Sequence, residues 1–235
     1  MTKSLVLLVS GFLLVMGCNK SNSDKQFTDE SEEITASQRK CSADDVLQEQ
    51  LKADPSLRQR MDAIEEFTRR FKENPQMDRL LTNGVIEIPV VFNVLYRTAA
   101  QNVSLAQLQS QVDVLNEDFA ATNADYNLTS TYNSVKSGNI TIRFVLDQVK
   151  RRSTNTVSWG TNDAMKKSAK GIAPTSPTTK LNIWVCNMGG GILGYAQFPG
   201  GTSATDGVVL DDNATGRTGT AAAPFNKGRT ATHEV

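Results

Sequence analysis

The chain has 235 residues, 25 Lys+Arg against 25 Asp+Glu, and one His. That length holds one ordinary domain with an appendage, and the balanced charge gives no electrostatic reason to expect nucleic acid or an anionic membrane as partner. The lone histidine, His233, excludes a three-His metal centre within these residues and makes His233 the carrier of any imidazole chemistry.

The first segment reads as an address. Lys3 is followed by an apolar run from Leu5 to Met16, broken only by Ser10 and Gly11. This is the length of a signal h-region and short for a bilayer span. Val15-Met16-Gly17-Cys18 closes it and resembles a bacterial lipoprotein signal, in which Cys18 is cleaved to the N-terminus and acylated. An ordinary secretory signal with an incidental Cys is the alternative. The division expected is a signal peptide over 1–17 and a polar, flexible tether over 18–38.

Charge density then divides the rest. Between residues 20 and 80, 25 of 61 residues are charged; between 81 and 235, 24 of 155 are. The first stretch predicts helices. Ser42 with Asp45 has the form of a capping box, ahead of Val46, Leu47 and Leu51. Asp54-Pro55 is a favourable Ncap–N1 pair, and Leu57, Met61, Ile64, Phe67 and Phe71 recur at helical spacing up to Asn74-Pro75. Such a pair holds no core alone and has to pack on the second part or stay disordered.

From residue 81 the pattern predicts strands around one long helix. Ile86 to Tyr96 alternates, with Pro89 suited to a strand start or edge. Ser104 caps a helix whose apolar face is Leu105, Leu108, Val112, Leu115 and Phe119, with Gln107 completing the box. Strands follow at Ile140–Leu146, Leu181–Cys186 and Ile192–Phe198, and Val208–Leu210 reads as a small inner strand. Residues 150–180 are rich in Ser, Thr and Lys and read as a long surface connection. A helix begins near Thr230.

His233-Glu234-Val235 matches the first three positions of H-E-x-x-H. In that motif two His one helical turn apart grip zinc, and the Glu takes a proton from the water whose pKa zinc lowers to about 7. The dipeptide alone is a poor signal, but its surroundings are specific. Leu181 to Asn187, Gly191 to Pro199, Thr205 to Val209 and Asn226 to Val235 resemble, in order and spacing, the pappalysin family of metzincin zinc endopeptidases, its cytophagalysin and ulilysin branch. Leu108 to Phe119 resembles the backing helix of that family. The resemblance spans about residues 39–235.

The resemblance implies an α/β (α+β) fold: a metzincin-like upper catalytic subdomain over 81–235, with a twisted, mixed five-stranded sheet, a backing helix and the start of the active-site helix. A helical pro-segment over 39–80 precedes it. It also implies that His233 is the first zinc ligand, Glu234 the general base and acid, and Gly194, Tyr195, Ala196, Gln197 and Phe198 an edge strand that pairs with an extended peptide. From the residues alone, a Gly-flanked hairpin edge is the preferred reading of that strand; the order of the motifs around it is what favours the substrate edge. The family motif continues as H-E-x-x-H-x-x-G-x-x-H. The further zinc ligands and the calcium sites are therefore expected past Val235, and the 235-residue chain by itself is expected to be inactive.

Cys41 and Cys186 remain once Cys18 is acylated. They allow one disulfide in an extracytoplasmic compartment, or free thiols. Arg39-Lys40-Cys41 resembles the family pro-segment, which implies a third role for Cys41: a thiolate that occupies the open zinc position and keeps the enzyme latent. The family often has Gly after this Cys, where this chain has Ser42. The expected protein is an exported proenzyme of a zinc endopeptidase acting on proteins or peptides. It would be anchored to a membrane through Cys18, at the bacterial outer membrane or cell surface, or else secreted. The alternative is a non-catalytic surface lipoprotein that binds peptides or a partner protein.

Overall fold

Val90 to Leu95 are buried without interruption, which is what a central strand covered on both faces requires. The computed structural model describes residues 40–73, 84–128 and 130–235. The signal and tether, with Cys18, and residues 74–83, between the helical segment and the first long strand, lie outside the described residues. In chain order the elements are β1 (Lys40–Cys41), α1 (Ala43–Ala53), α2 (Ser56–Glu73), β2 (Ile86–Tyr96), α3 (Leu105–Phe119), β3 (Ile142–Ser153), β4 (Leu181–Cys186), β5 (Ile192–Ala196), β6 (Val208–Asp211) and α4 (Arg229–Glu234).

The strands form one sheet in the order β1-β5-β6-β4-β2-β3. β2 pairs parallel with β3 and β4, β4 pairs parallel with β6, and β5 runs antiparallel to β6. The five expected strands are present, and β6 is internal as read. The sixth strand, β1, comes from the segment ahead of the helices and pairs parallel with β5. Pro89 faces β3 one residue before β4 joins at Val90, so it sits in the half of β2 that is paired on one side.

Alternation along each strand feeds two apolar layers. Phe92, Val94, Ile183, Val185, Val208 and Leu210 pack with Leu108, Val112 and Leu115 of α3 and Ala231 of α4. On the opposite face Trp184, Cys186, Tyr195 and Val209 pack with Val46 of α1, Trp159 and Met165. The second layer corrects the reading of 150–180. β3 extends to Ser153, and the stretch after it folds Trp159 and Met165 into the core. Widely spaced anchors among polar residues carry no periodicity, so the pattern conceals them.

Two caps differ from the boxes read in the sequence. Ser42 makes no side-chain cap, and Asp45 pairs with Lys40 Nζ at 2.7 Å instead. Ser104 Oγ does accept from the Gln107 amide, but the Gln107 side chain donates across to the Asp212 and Thr215 carbonyls. In α2, Asp54 Oδ1 accepts from the Ser56 amide at 3.1 Å. Leu57 is buried and Met61 half-buried beside Gly200, while Ile64 and Phe67 are exposed, so it is the N-terminal part of this helix that docks. No helix among the described residues is long and apolar enough to cross a membrane.

Candidate active site

α4 is six residues long, and a helix that short does not stand alone. α3 holds it. Gln111 bridges two loop ends, accepting from the Gly216 amide at 2.7 Å and donating to the Gly228 carbonyl at 2.9 Å. Gly228 enters the helix at φ 70°, where a Cβ would stand 3.1 Å from Val114 Cγ2. Arg229 lies between Asp118 and Asp125, at 3.1 and 2.7 Å. Thr232 Oγ1 donates to Asp118 Oδ2 at 2.6 Å. Burial holds the Asp118 carboxyl above its usual range, whereas Asn123 and Arg229 hold Asp125 down at about 2. With Ala231 buried beneath the sheet, the next turn presents His233 outward and Glu234 inward.

The segment carrying Cys41 reaches the same place along the sheet edge. The Lys40 amide donates to the Gly191 carbonyl and the Ser42 amide to the Gly194 carbonyl, both at 3.1 Å. This pairing delivers the thiol to the end of α4. The Cys41 sulfur, a His233 ring nitrogen and a Glu234 carboxylate oxygen all lie within 4.8 Å of one another. It is the sole cluster of three or more His, Cys, Asp or Glu donors of metal-site size among the described residues.

Without a metal, burial pushes the Cys41 thiol up to about 11; the Ala43 amide opposes this and Glu234 adds to it. Burial also raises the Glu234 carboxyl, against its contact with Cys41 and the charge of His233. Thiolate sulfur and imidazole nitrogen are ordinary zinc ligands, and Glu234 Oε1 is buried with no hydrogen-bond partner. The donor set therefore suits one side of a zinc site, with a carboxylate beside it. A cleft of about 540 Å³ adjoins the cluster, lined by Ala196, Phe198, Val208, His233 and Glu234 among others.

Of the five residues read as an edge strand, Gly194, Tyr195 and Ala196 lie in β5, and Gln197 and Phe198 follow it. The free edge expected there is taken by β1. Cys41 and Cys186 are both free thiols, which corrects the possible disulfide. Cys186 is fully buried in the second core layer, its sulfur 3.6 Å from Met188 Sδ. Sequence reasoning missed Gln111 and Asp118, which seat α4. Both sit on the helical face beside the apolar stripe, and only the fold reveals what they touch.

Comparison with known proteins adds to this geometry. No family model matches the chain. It is 28% identical over 178 residues to an extracellular metalloprotease of Arthroderma otae, covering 72% of this chain and 57% of that protein. With an extracellular metalloprotease of Verticillium alfalfae it shares 31% over 165 residues, covering 63% and 50%. The chain thus spans about half the length of these curated relatives. Mature mirolysin of Tannerella forsythia, solved in complex with a cleaved peptide, is 43% identical with a TM-score of 0.61, over 64% of this chain and 61% of that one. A promirolysin mutant from the same organism is 38% identical with a TM-score of 0.69, over 83% and 66%. On the strength of these likenesses and of the sheet, backing helix and His-Glu turn described above, the chain belongs to the pappalysin-type metallopeptidases.

Proposed function

We propose that the chain is the pro-segment and first catalytic part of a zinc metalloendopeptidase that is made latent. The observation that carries this reading is the convergence of Cys41, His233 and Glu234, with β1 laid on the edge of β5. In it His233 is a zinc ligand and Cys41 the ligand that closes the site. Zinc, when bound, supplies Lewis acidity for a scissile carbonyl and for an attacking water. Glu234, at the bottom of the cleft, takes the proton of that water and returns it to the departing amine. β5 offers its main chain to an extended peptide once β1 has left. Calcium, implied by the family resemblance, belongs to the same proposal.

Two further roles fall on residues outside the described ones. Cys18 is proposed as the acylated anchor of an exported protein, at the outer membrane or cell surface. Metabolic labelling with a fatty acid should mark wild type and not Cys18→Ala; equal labelling of both would end that idea. The stretch around Arg79 is proposed as the junction cut on activation.

The enzymatic reading is tested on the gene and its full product. Codons for Gly-His-x-x-Gly-x-x-His directly after Val235 are expected. In that product Glu234→Ala should keep about one zinc per chain while peptide hydrolysis falls about 10²- to 10⁴-fold. Wild-type activity in the variant would remove Glu234 from the role, and a stop codon after Val235 would favour a peptide-binding protein without catalysis.

A further inference from the structure

Lys166 is a lysine with no exposed side chain. It closes the short 3-10 turn Ala164–Lys166, which follows Asp163 at φ 57°. Its Nζ lies 3.0 Å from Asp163 Oδ1 and donates to the Thr205 carbonyl at 2.7 Å. It also stands 5.4 Å from the Trp184 ring centre and 5.1 Å from that of Tyr195. The same Asp163 oxygen accepts from the Tyr195 hydroxyl at 2.9 Å. One ammonium therefore joins three distant stretches: the 163–166 turn, β5 through Tyr195, and the loop after β5 through Thr205.

A buried cation is costly to hold, and an apolar side chain of similar volume fills such a space at least as well. A role in packing does not account for it. What the ammonium does, and an apolar group would not, is fix positions by directed contacts. Tyr195 points to the core layer opposite α4, while its neighbour Ala196 lines the cleft. The Gly194 carbonyl on the same strand accepts from the amide of Ser42, just after β1. Beyond the strand, the Gln197 side chain ties to the Thr202 carbonyl at 3.0 Å and to Thr205 Oγ1 at 2.6 Å. Strand addition depends on main-chain groups held to a few tenths of an ångström.

We infer that Lys166, with Asp163 and Tyr195, is a positioning residue that locks β5 and the 199–206 loop from behind, so that their outer edge is a preformed template for an extended peptide. The inference rests on the peptidase reading for the identity of that peptide, and on the geometry alone for the lock.

The experiment compares wild type, Lys166→Met and Lys166→Met/Asp163→Asn. The double variant removes the carboxylate that the single one leaves unpaired, and Asn tolerates the positive φ at this position. Hydrogen exchange on the chain as it stands should speed up about 10-fold or more over 192–206 in both variants. Amides of β2 and β4 should stay within about twofold of wild type. Acceleration spread over the whole sheet would overturn the inference. So would recovery of wild-type protection at 192–206 in the double variant, because the lysine would then only fill space. In the activated full product the double variant should raise KM for a quenched-fluorescent peptide about 10-fold and change kcat less than threefold. A fall in kcat at constant KM would also overturn it. A wild-type product without peptidase activity would defeat the protease reading, and the exchange result would still decide the lock.

Discussion

At Gly194 a Cβ would stand 2.8 Å from the Val209 carbonyl oxygen and 3.3 Å from Thr230 Cγ2. The first contact is backbone in the paired strand and the second is the start of α4, so neither yields cheaply. Gly194→Ala should cost about 1–3 kcal/mol, read as a lower denaturation midpoint, because overpacking in a closed site forces the backbone to shift. A midpoint equal to wild type would mean that β5 has room the geometry denies. The cysteines give a second expectation at this scale. Both described thiols are free, so a reductant should leave the melting temperature of the chain unchanged. A drop of several degrees would show a covalent link that these positions do not form.

The short α4 is an example of an element stabilised almost wholly by its neighbours. Gln111 supplies two buried hydrogen bonds to the loops at its entrance. Gln111→Leu keeps the bulk, removes both bonds and leaves the Gly216 amide unpaired, which should cost about 1–3 kcal/mol by the usual penalty for a stranded polar group. Chemical denaturation would measure it, and a loss under 0.5 kcal/mol would show that water replaces the glutamine without penalty. The Arg229 pairs add a dependence on pH. Asp125 titrates at about 2 in the fold against an ordinary 3.8. A depressed acid gives its full stabilisation above its unfolded pKa and loses it as pH falls through the folded one, so the loss should develop between about pH 4 and pH 2. The Asp125 side chain keeps 32% of its surface open to solvent, and screening limits the effect to about 0.5 kcal/mol. Asp125→Asn should flatten that part of the stability profile and leave pH 5–7 nearly unchanged.

For the whole molecule, latency in the proposed reading has two separate attachments. One is Cys41 at the cluster. The other is the N-terminal part of α2, where Arg60 Nε donates to the Gly200 carbonyl at 2.7 Å and its guanidinium pairs at 2.8 Å with Asp54 of the turn before the helix. A tethered thiolate competes intramolecularly for the metal, and cleavage of the tether removes that advantage. In the full product, Cys41→Ala should show peptidase activity before any cleavage, with mass measurement confirming that the protein is uncut. If the variant stays silent until it is cut, the helices and β1 block the cleft by themselves.

Several features were legible in the sequence. The alternation from Ile86 to Tyr96 and from Leu181 to Cys186 marks strands, and the spacing from Leu108 to Leu115 marks the helix behind them. Each is a local periodicity set by burying one face. The His233-Glu234 pair stands out because its residue types are chemically distinctive. Tertiary structure alone decided the rest. That β1 joins the sheet depends on amides of Lys40 and Ser42 meeting carbonyls some 150 residues away, which no local pattern encodes. The burial of Trp159 and Lys166 in a stretch that reads as surface follows from contacts with Trp184 and Tyr195. Periodicity reports which face a residue turns within its own element; which carboxylate, carbonyl or ring waits on that face is settled only when distant segments pack.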